Sequence, residues 1–181
     1  MKFFYLIISF LLFTGFAVLA QPDSNTQKQL FLDQSTILLK GSGKWRADNP
    51  AYKRTDEWSV ESYGYEFEKG IQESTLKLKI TGYIPAKSMK VIFWDGFYYW
   101  NHHKNTLAYI SVNVEGVVTL GLADSIGVSF LSLLLDIINK KGLIEYHKDI
   151  QFLQNDQLQS ISYKWQQERW MKNNEMIWKR E

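Results

Sequence analysis

The ten residues STLKLKITGY, 74–83, place Leu76, Leu78 and Ile80 on one side of an extended chain and Thr75, Lys77, Lys79 and Thr81 on the other. Alternation of period two marks a strand with one face against a core, whereas a helix would mix leucines and lysines on every face. The pattern recurs further along the chain. In LIEYHKDIQF (143–152), Ile144, Tyr146, Lys148, Ile150 and Phe152 share one side and Glu145, His147, Asp149 and Gln151 the other. In QSISYKW (159–165), Ile161, Tyr163 and Trp165 alternate in the same way. Turn signals stand between such segments: Pro85 with Ala86 and Lys87, NHHKN (101–105), Glu115-Gly116, NKKG (139–142), QND (154–156) and KNN (172–174). This spacing predicts an all-β domain, a single antiparallel up-and-down barrel of about eight to ten strands.

Two segments leave alternatives open. VSFLSLLLDIINKKG (128–142) reads as a strand that pairs across NKKG, or as a buried helix ending at Gly142, because Phe130, Leu134 and Ile137 or Ile138 fall near helical spacing. Asp95-Gly96 marks either a two-residue hairpin or a bulge in one long strand.

The chain of 181 residues opens with Lys2 and an uncharged apolar run from Phe3 to Ala20. That is the form of a secretory signal peptide, and Val18 and Ala20 suit cleavage after Ala20. The expected organisation is a signal peptide at 1–20, a flexible leader at 21–29 and one barrel domain at 30–181, exported to a periplasmic or extracellular space. Stable membrane insertion after cleavage is not expected. Without Lys2, twenty basic residues face nineteen acidic ones, and this near balance gives no reason to expect nucleic acid as a partner. Cysteine is absent, which excludes disulfides, zinc-thiolate sites and thiol catalysis.

Chemistry is sparse. His102 and His103 sit in the loop-like NHHKN, and on a regular strand they would point to opposite faces; the third histidine, His147, lies elsewhere. No metal, cofactor or catalytic residue is assigned, and the chain reads as a binding protein rather than an enzyme. Glu57 and Glu61 alternate with Trp58 and Val60 as on the solvated face of a strand, and Gly41 and Gly43 lack the Lys-Ser/Thr ending of a phosphate loop. What stands out is aromatic content, with 7 Trp, 10 Tyr and 11 Phe. A barrel of about eight strands is wide enough to be filled by such side chains or to hold one small ligand. Trp94, Tyr99, Trp100, Tyr109 and Tyr163 are the candidate ligand-binding residues, with stacking and burial as their role. The ligand expected is a small apolar or aromatic molecule. The competing reading is a filled barrel acting through its surface as an envelope interaction or accessory protein, and a third is a barrel enzyme, which would need titratable residues converging in one pocket.

Gly43-Lys44-Trp45 is similar to the Gly-x-Trp motif of lipocalin-type (calycin) barrels. The resemblance implies that Gly43 opens the first strand, that Trp45 plugs the closed end and that an arginine from the last strand, Arg180, packs across the indole to close the barrel. The stretch YWNHHKNTLAYISVNVEGVVTLG, with Trp100, Asn101, Tyr109, Gly116 and Gly121, together with RWMKNNEMIWKR near the end, resembles secreted lipocalin-like proteins of unknown function. The Thr-Asp-Tyr-like motif, the disulfide and the helix after the barrel that true lipocalins carry are missing. A related haem-binding barrel family uses a late histidine as axial ligand, and none follows His147; haem is not expected.

Overall fold

The computed structural model describes residues 23–71, 74–154 and 156–181. The signal peptide expected at 1–20 and its expected cleavage point lie outside the described residues. Among those described, a helix α1 (Ser24–Leu39) precedes ten strands: β1 Lys44–Asp48, β2 Ser62–Lys69, β3 Thr75–Ile84, β4 Met89–Asn101, β5 Thr106–Asn113, β6 Val118–Gly127, β7 Phe130–Ile138, β8 Ile144–Gln154, β9 Gln157–Gln166 and β10 Arg169–Arg180. Each strand pairs antiparallel with the next, and β1 pairs with β10, so the sheet closes on itself without a free edge. Ten strands make a wider tube than eight, and such a tube needs either a large filling or a cavity.

Within 128–142, Phe130–Ile138 form the strand β7 rather than a helix, and the residues on either side are turns. β-Branched and leucine residues there stay extended because both edges are paired, with β6 from Val118↔Ile138 to Gly127↔Phe130 and with β8 from Phe130↔Phe152 to Ile138↔Ile144. Asp95-Gly96 lies inside the single strand β4. The irregularity falls just before it: Ile80 pairs with Trp94 and Thr81 with Ile92, so Phe93 is the extra residue of a bulge. Glycine at 96 answers a close approach instead. A Cβ there would stand 2.2 Å from the Ile110 carbonyl oxygen and 2.7 Å from Ser111 Cα, which are backbone atoms of the neighbouring strand. Gly96→Ala is therefore expected to cost about 2–3 kcal/mol, seen as a lower urea midpoint with an unchanged slope.

A flexible leader was expected at 21–29, but the structure starts a helix at Ser24. Asp23 caps it, its Oδ1 accepting from the Asn25 and Thr26 amides at 2.9 Å each. Phe31, Gln34, Ser35 and Leu38 are its buried residues, spaced 3, 4 and 7 apart on one face. Two of those four are polar, which hides the amphipathic signal. Ser35 Oγ donates to the Phe31 carbonyl at 2.8 Å, so its hydroxyl is satisfied within the helix.

Phe31 and Leu38 join one core with Trp45, Phe67, Leu76, Trp100, Leu107, Leu131, Leu153 and Leu158. These residues sit toward the strand ends joined by the β2–β3, β4–β5, β6–β7 and β8–β9 turns, and α1 packs against β2, β5 and β6. That end of the barrel is closed. The opposite end, rimmed by the β1–β2, β3–β4, β5–β6, β7–β8 and β9–β10 connections, holds the cavity.

The faces of β8 run opposite to the usual order. Gln151 and Leu153 are buried inside, in phase with Asp149 and His147, while Tyr146 and Ile144 are exposed outside. The outer surface of β4 to β9 is correspondingly apolar. Phe97, Ile110 and Leu120 stand side by side in register, and Leu134, Tyr146, Trp165 and Trp170 are exposed beyond them. Around β1 to β3 the outer face is charged instead, with Lys44, Arg46, Glu66, Glu68, Lys77 and Lys79.

Candidate functional site

Closure of the barrel rests on three residues. Gly43 has φ +68, and a Cβ there would meet the Phe67 carbonyl oxygen at 2.4 Å, so glycine is required by both conformation and space. It aims the chain so that the Trp45 ring is fully buried, its Nε1 donating to the Leu38 carbonyl at 3.1 Å. The Arg180 guanidinium lies 4.1 Å from the Trp45 ring centroid. Its Nη1 donates to the Lys40 carbonyl at 2.7 Å and its Nη2 to the Ile37 carbonyl at 3.1 Å, while Nε reaches Asp156 at 3.4 Å. The last carbonyls of α1 thus find cationic donors, which also suits the negative end of the helix dipole. One arginine ties helix, first strand and last strand together.

At the open end a cavity of about 520 Å³ is lined by Tyr63, Tyr65, Ile80, Phe93, Trp94 and Trp178, with Asp149, Ser160, Ser162, Asn174 and, at the rim, Glu115 among the polar groups. A second chamber of about 330 Å³ shares Tyr65, Ile80, Trp94, Asp149, Ser162 and Asn174 with it and continues inward past Tyr98, Tyr109 and Ser111. Two bulges shape this lining. The extra residue in β4 lets the consecutive Phe93 and Trp94 both face the cavity, and the one between Lys172 and Asn174 in β10 does the same for Asn173 and Asn174 in the inner chamber. Regular strands would have sent one of each pair outside.

The aromatic wall is rigid. Tyr65 stacks on Trp178 with centroids 3.8 Å apart and planes 15° apart, and Trp178 Nε1 donates to Ser160 Oγ at 2.9 Å. Tyr98 and Tyr109 lie 4.8 Å apart between centroids. Gln151 Nε2 bridges the Tyr98 hydroxyl at 3.2 Å and Asp149 Oδ2 at 3.0 Å.

Asp149 is the electrostatic centre of the site. Asp149 is half-buried and faces both chambers, and this partial desolvation pushes its carboxyl up to about 6 against the lowering effect of the Gln151 hydrogen bond. Among the described residues no lysine, arginine or histidine pairs with it. Lys148, next to it in sequence, points to the outside and holds Asp124 at 2.9 Å, whereas Lys164 and His147 are taken by Glu145 at 2.8 and 3.4 Å. Burial raises the phenols of Tyr65 and Tyr98 far above their usual range and that of Tyr109 to about 12. All three remain neutral donors at neutral pH, unable to serve as bases. Ser111 Oγ is buried in the inner chamber without a hydrogen-bond partner; the nearby Tyr109 hydroxyl does not reach it in bonding geometry.

Of the five residues singled out from the sequence, Trp94 and Tyr109 line these chambers. The other three do not. Tyr99 lies on the outer surface beside Phe97, with ring centroids 5.7 Å apart, because it follows the inward Tyr98 by one residue. Trp100 points inward but is sealed in the closed-end core, 5 % exposed. Tyr163 alternates with the inward Ser162 and sits outside in register with Lys148 and Lys172. Sequence reasoning missed Tyr65, Phe93, Asp149, Gln151 and Trp178. For Asp149 and Gln151 the signal was present as the polar side of LIEYHKDIQF, but that side looks like the solvated one.

His102 and His103 are exposed in the turn between β4 and β5, where Asn101 Oδ1 accepts from the Lys104 amide at 3.0 Å. Among the described residues no three His, Asp or Glu side chains come together as a metal site would require. Compared with known proteins, the chain matches no family model and no curated protein.

Proposed function

We propose that this chain is an exported, lipocalin-like barrel that binds one small ligand with an aromatic or apolar body in the cavity at its open mouth. The observation that carries this reading is a cavity of about 520 Å³ walled by Tyr65, Trp94 and Trp178, in the size range of small-molecule sites and with a few convergent polar groups. The plugged opposite end supports it, since Gly43, Trp45 and Arg180 stand where the Gly-x-Trp resemblance would have them. Export rests on the apolar run at 3–20. The tyrosines of the cavity stay protonated and act there as neutral hydrogen-bonding and stacking groups.

The test is a titration with N-phenyl-1-naphthylamine, a neutral fluorescent probe. The wild type is expected to take up one molecule per chain. Ser162→Phe, which projects a ring into the cavity, is expected to weaken uptake at least tenfold while thermal unfolding stays cooperative. Unchanged uptake by Ser162→Phe would place the probe elsewhere and remove this reading.

The apolar exterior of β4 to β9 favours a second reading, a barrel that acts through its surface as an envelope interaction or accessory protein. A surface change such as Leu120→Lys separates the two, because it leaves probe uptake intact and impairs function only if the outer face is the working one.

A further inference from the structure

Resting on the cavity reading above, we propose that the ligand is a small organic cation, an amine on an aromatic or aliphatic body, whose charge meets Asp149 while its body lies among the rings of Tyr65, Trp94 and Trp178. Three independent features point there. The first is charge. Asp149 lines both chambers and has no cationic partner among the described residues, since Lys148, Lys164 and His147 are each turned to another carboxylate. A buried carboxylate is ordinarily paired, and one that faces a cavity is left to be paired by what enters it. Its only neighbour through a hydrogen bond, Gln151, offers an amide rather than a charge and fixes the carboxylate's orientation through Tyr98.

The second is the wall. Indole and phenol faces attract a cation placed over them, and the attraction grows once water is displaced. Tyr65 is held against Trp178, Trp94 lines the same cavity and the β4 bulge adds Phe93, so aromatic rings and the carboxylate share one lining. Glu115 at the rim is offset by Lys140 at 3.7 Å, which leaves Asp149 as the unpaired charge of the site. An anionic ligand would meet the Asp149 carboxylate as a like charge, while His147 and Lys148, which also line the inner chamber, are held by Glu145 and Asp124.

The third is Ser111. Its buried Oγ has no partner in the inner chamber, and buried hydroxyls are rarely left so unless something else completes them. A ligand that carries a further polar group beyond its ammonium would find an acceptor and a donor there.

The experiment is a displacement series. With N-phenyl-1-naphthylamine bound, three competitors of similar size are compared: 2-phenylethylammonium, 2-phenylethanol and 3-phenylpropionate. The cation is expected to displace the probe at a concentration at least tenfold below that of the alcohol, with the carboxylate weakest. In Asp149→Asn, the ratio of the concentrations at which the alcohol and the cation displace the probe is expected to fall from at least tenfold to near one. Equal displacement by cation and alcohol in the wild type, or an undiminished preference in Asp149→Asn, would overturn the assignment of a cation and leave the cavity reading standing. Failure of the wild type to bind the probe or any competitor would remove both.

Discussion

Trp45→Ala is expected to lower stability by about 4–5 kcal/mol, which for a chain of this size means a fall in Tm of roughly 10–20 °C. Among the described residues the indole is the largest fully buried side chain, so its removal leaves a cavity that the closed end cannot fill by relaxing around it. Two further losses add to the transfer term. The Leu38 carbonyl loses its donor, and the Arg180 guanidinium loses the ring 4.1 Å beneath it. Because Arg180 also holds the Ile37 and Lys40 carbonyls, loosening it frees the end of α1. Trp45→Phe keeps most of the apolar volume and is expected to cost less than half as much. Urea denaturation of the two variants beside the wild type checks the order; a loss below about 1.5 kcal/mol for the alanine variant would mean that the helix, not the indole, seals that end.

Asp149→Asn is expected to raise stability at pH 7 to 8 by about 2 kcal/mol, with a gain in Tm of roughly 5 °C. The sign follows from the direction of the displacement. The carboxyl titrates near 3.8 in an unfolded chain and near 6 in the folded one, so the folded state binds the proton more tightly. Between those values folding takes up a proton and stability falls as pH rises. The cost is fully present above about 6 and absent below about 3.8. The gap amounts to roughly 3 kcal/mol, trimmed here because the cavity admits solvent to the carboxylate. Groups that face it from the neighbouring strands do not offset the cost: Tyr65, Tyr98 and Tyr109 are neutral, Gln151 is neutral, and Lys164 and His147 are engaged by Glu145. Other carboxylates, such as Glu145 held down by Lys164, give stability that is lost in acid, so the informative quantity is the difference between variant and wild type. That difference should close as pH drops from 6 to 4. A difference that stays flat across this range would show Asp149 to be paired or well solvated. A carboxylate that destabilises its own fold is the type of residue retained for a site rather than for a core.

The strands themselves were legible because alternation is a local property: whatever surrounds it, LKLKI in β3 can bury one side only if it is extended. The closed end was legible only through the resemblance of Gly43-Lys44-Trp45 to the Gly-x-Trp motif, because the contact of Arg180 with Trp45 joins opposite ends of the chain. Ambiguity between helix and strand at 128–142 ended as a strand because pairing on both edges outweighs the leucines' helical preference. Adjacent residues such as Tyr99 and Trp100 face opposite ways on a regular strand, so Tyr99 lies outside and Trp100 inside, at the closed end.

By itself, then, the order of residues determined an antiparallel barrel and most of its turns; KNN at 172–174 lies instead within β10, where Asn173 is the extra residue of a bulge, and the turn falls at Gln167-Glu168. Only the tertiary structure decided which side of each strand is the inside, and for β8 the answer is the polar side. A period of two labels two faces without saying which one meets solvent; that depends on what the neighbouring strands present across the tube. Here Ile150 and Phe152 find outer neighbours such as Phe130, whose ring lies 5.2 Å from that of Phe152, while Asp149 and Gln151 find the tyrosines within. The bulges that turn Phe93 with Trp94, and Asn173 with Asn174, into the same space arise from the pairing of strands, and local sequence does not carry that information.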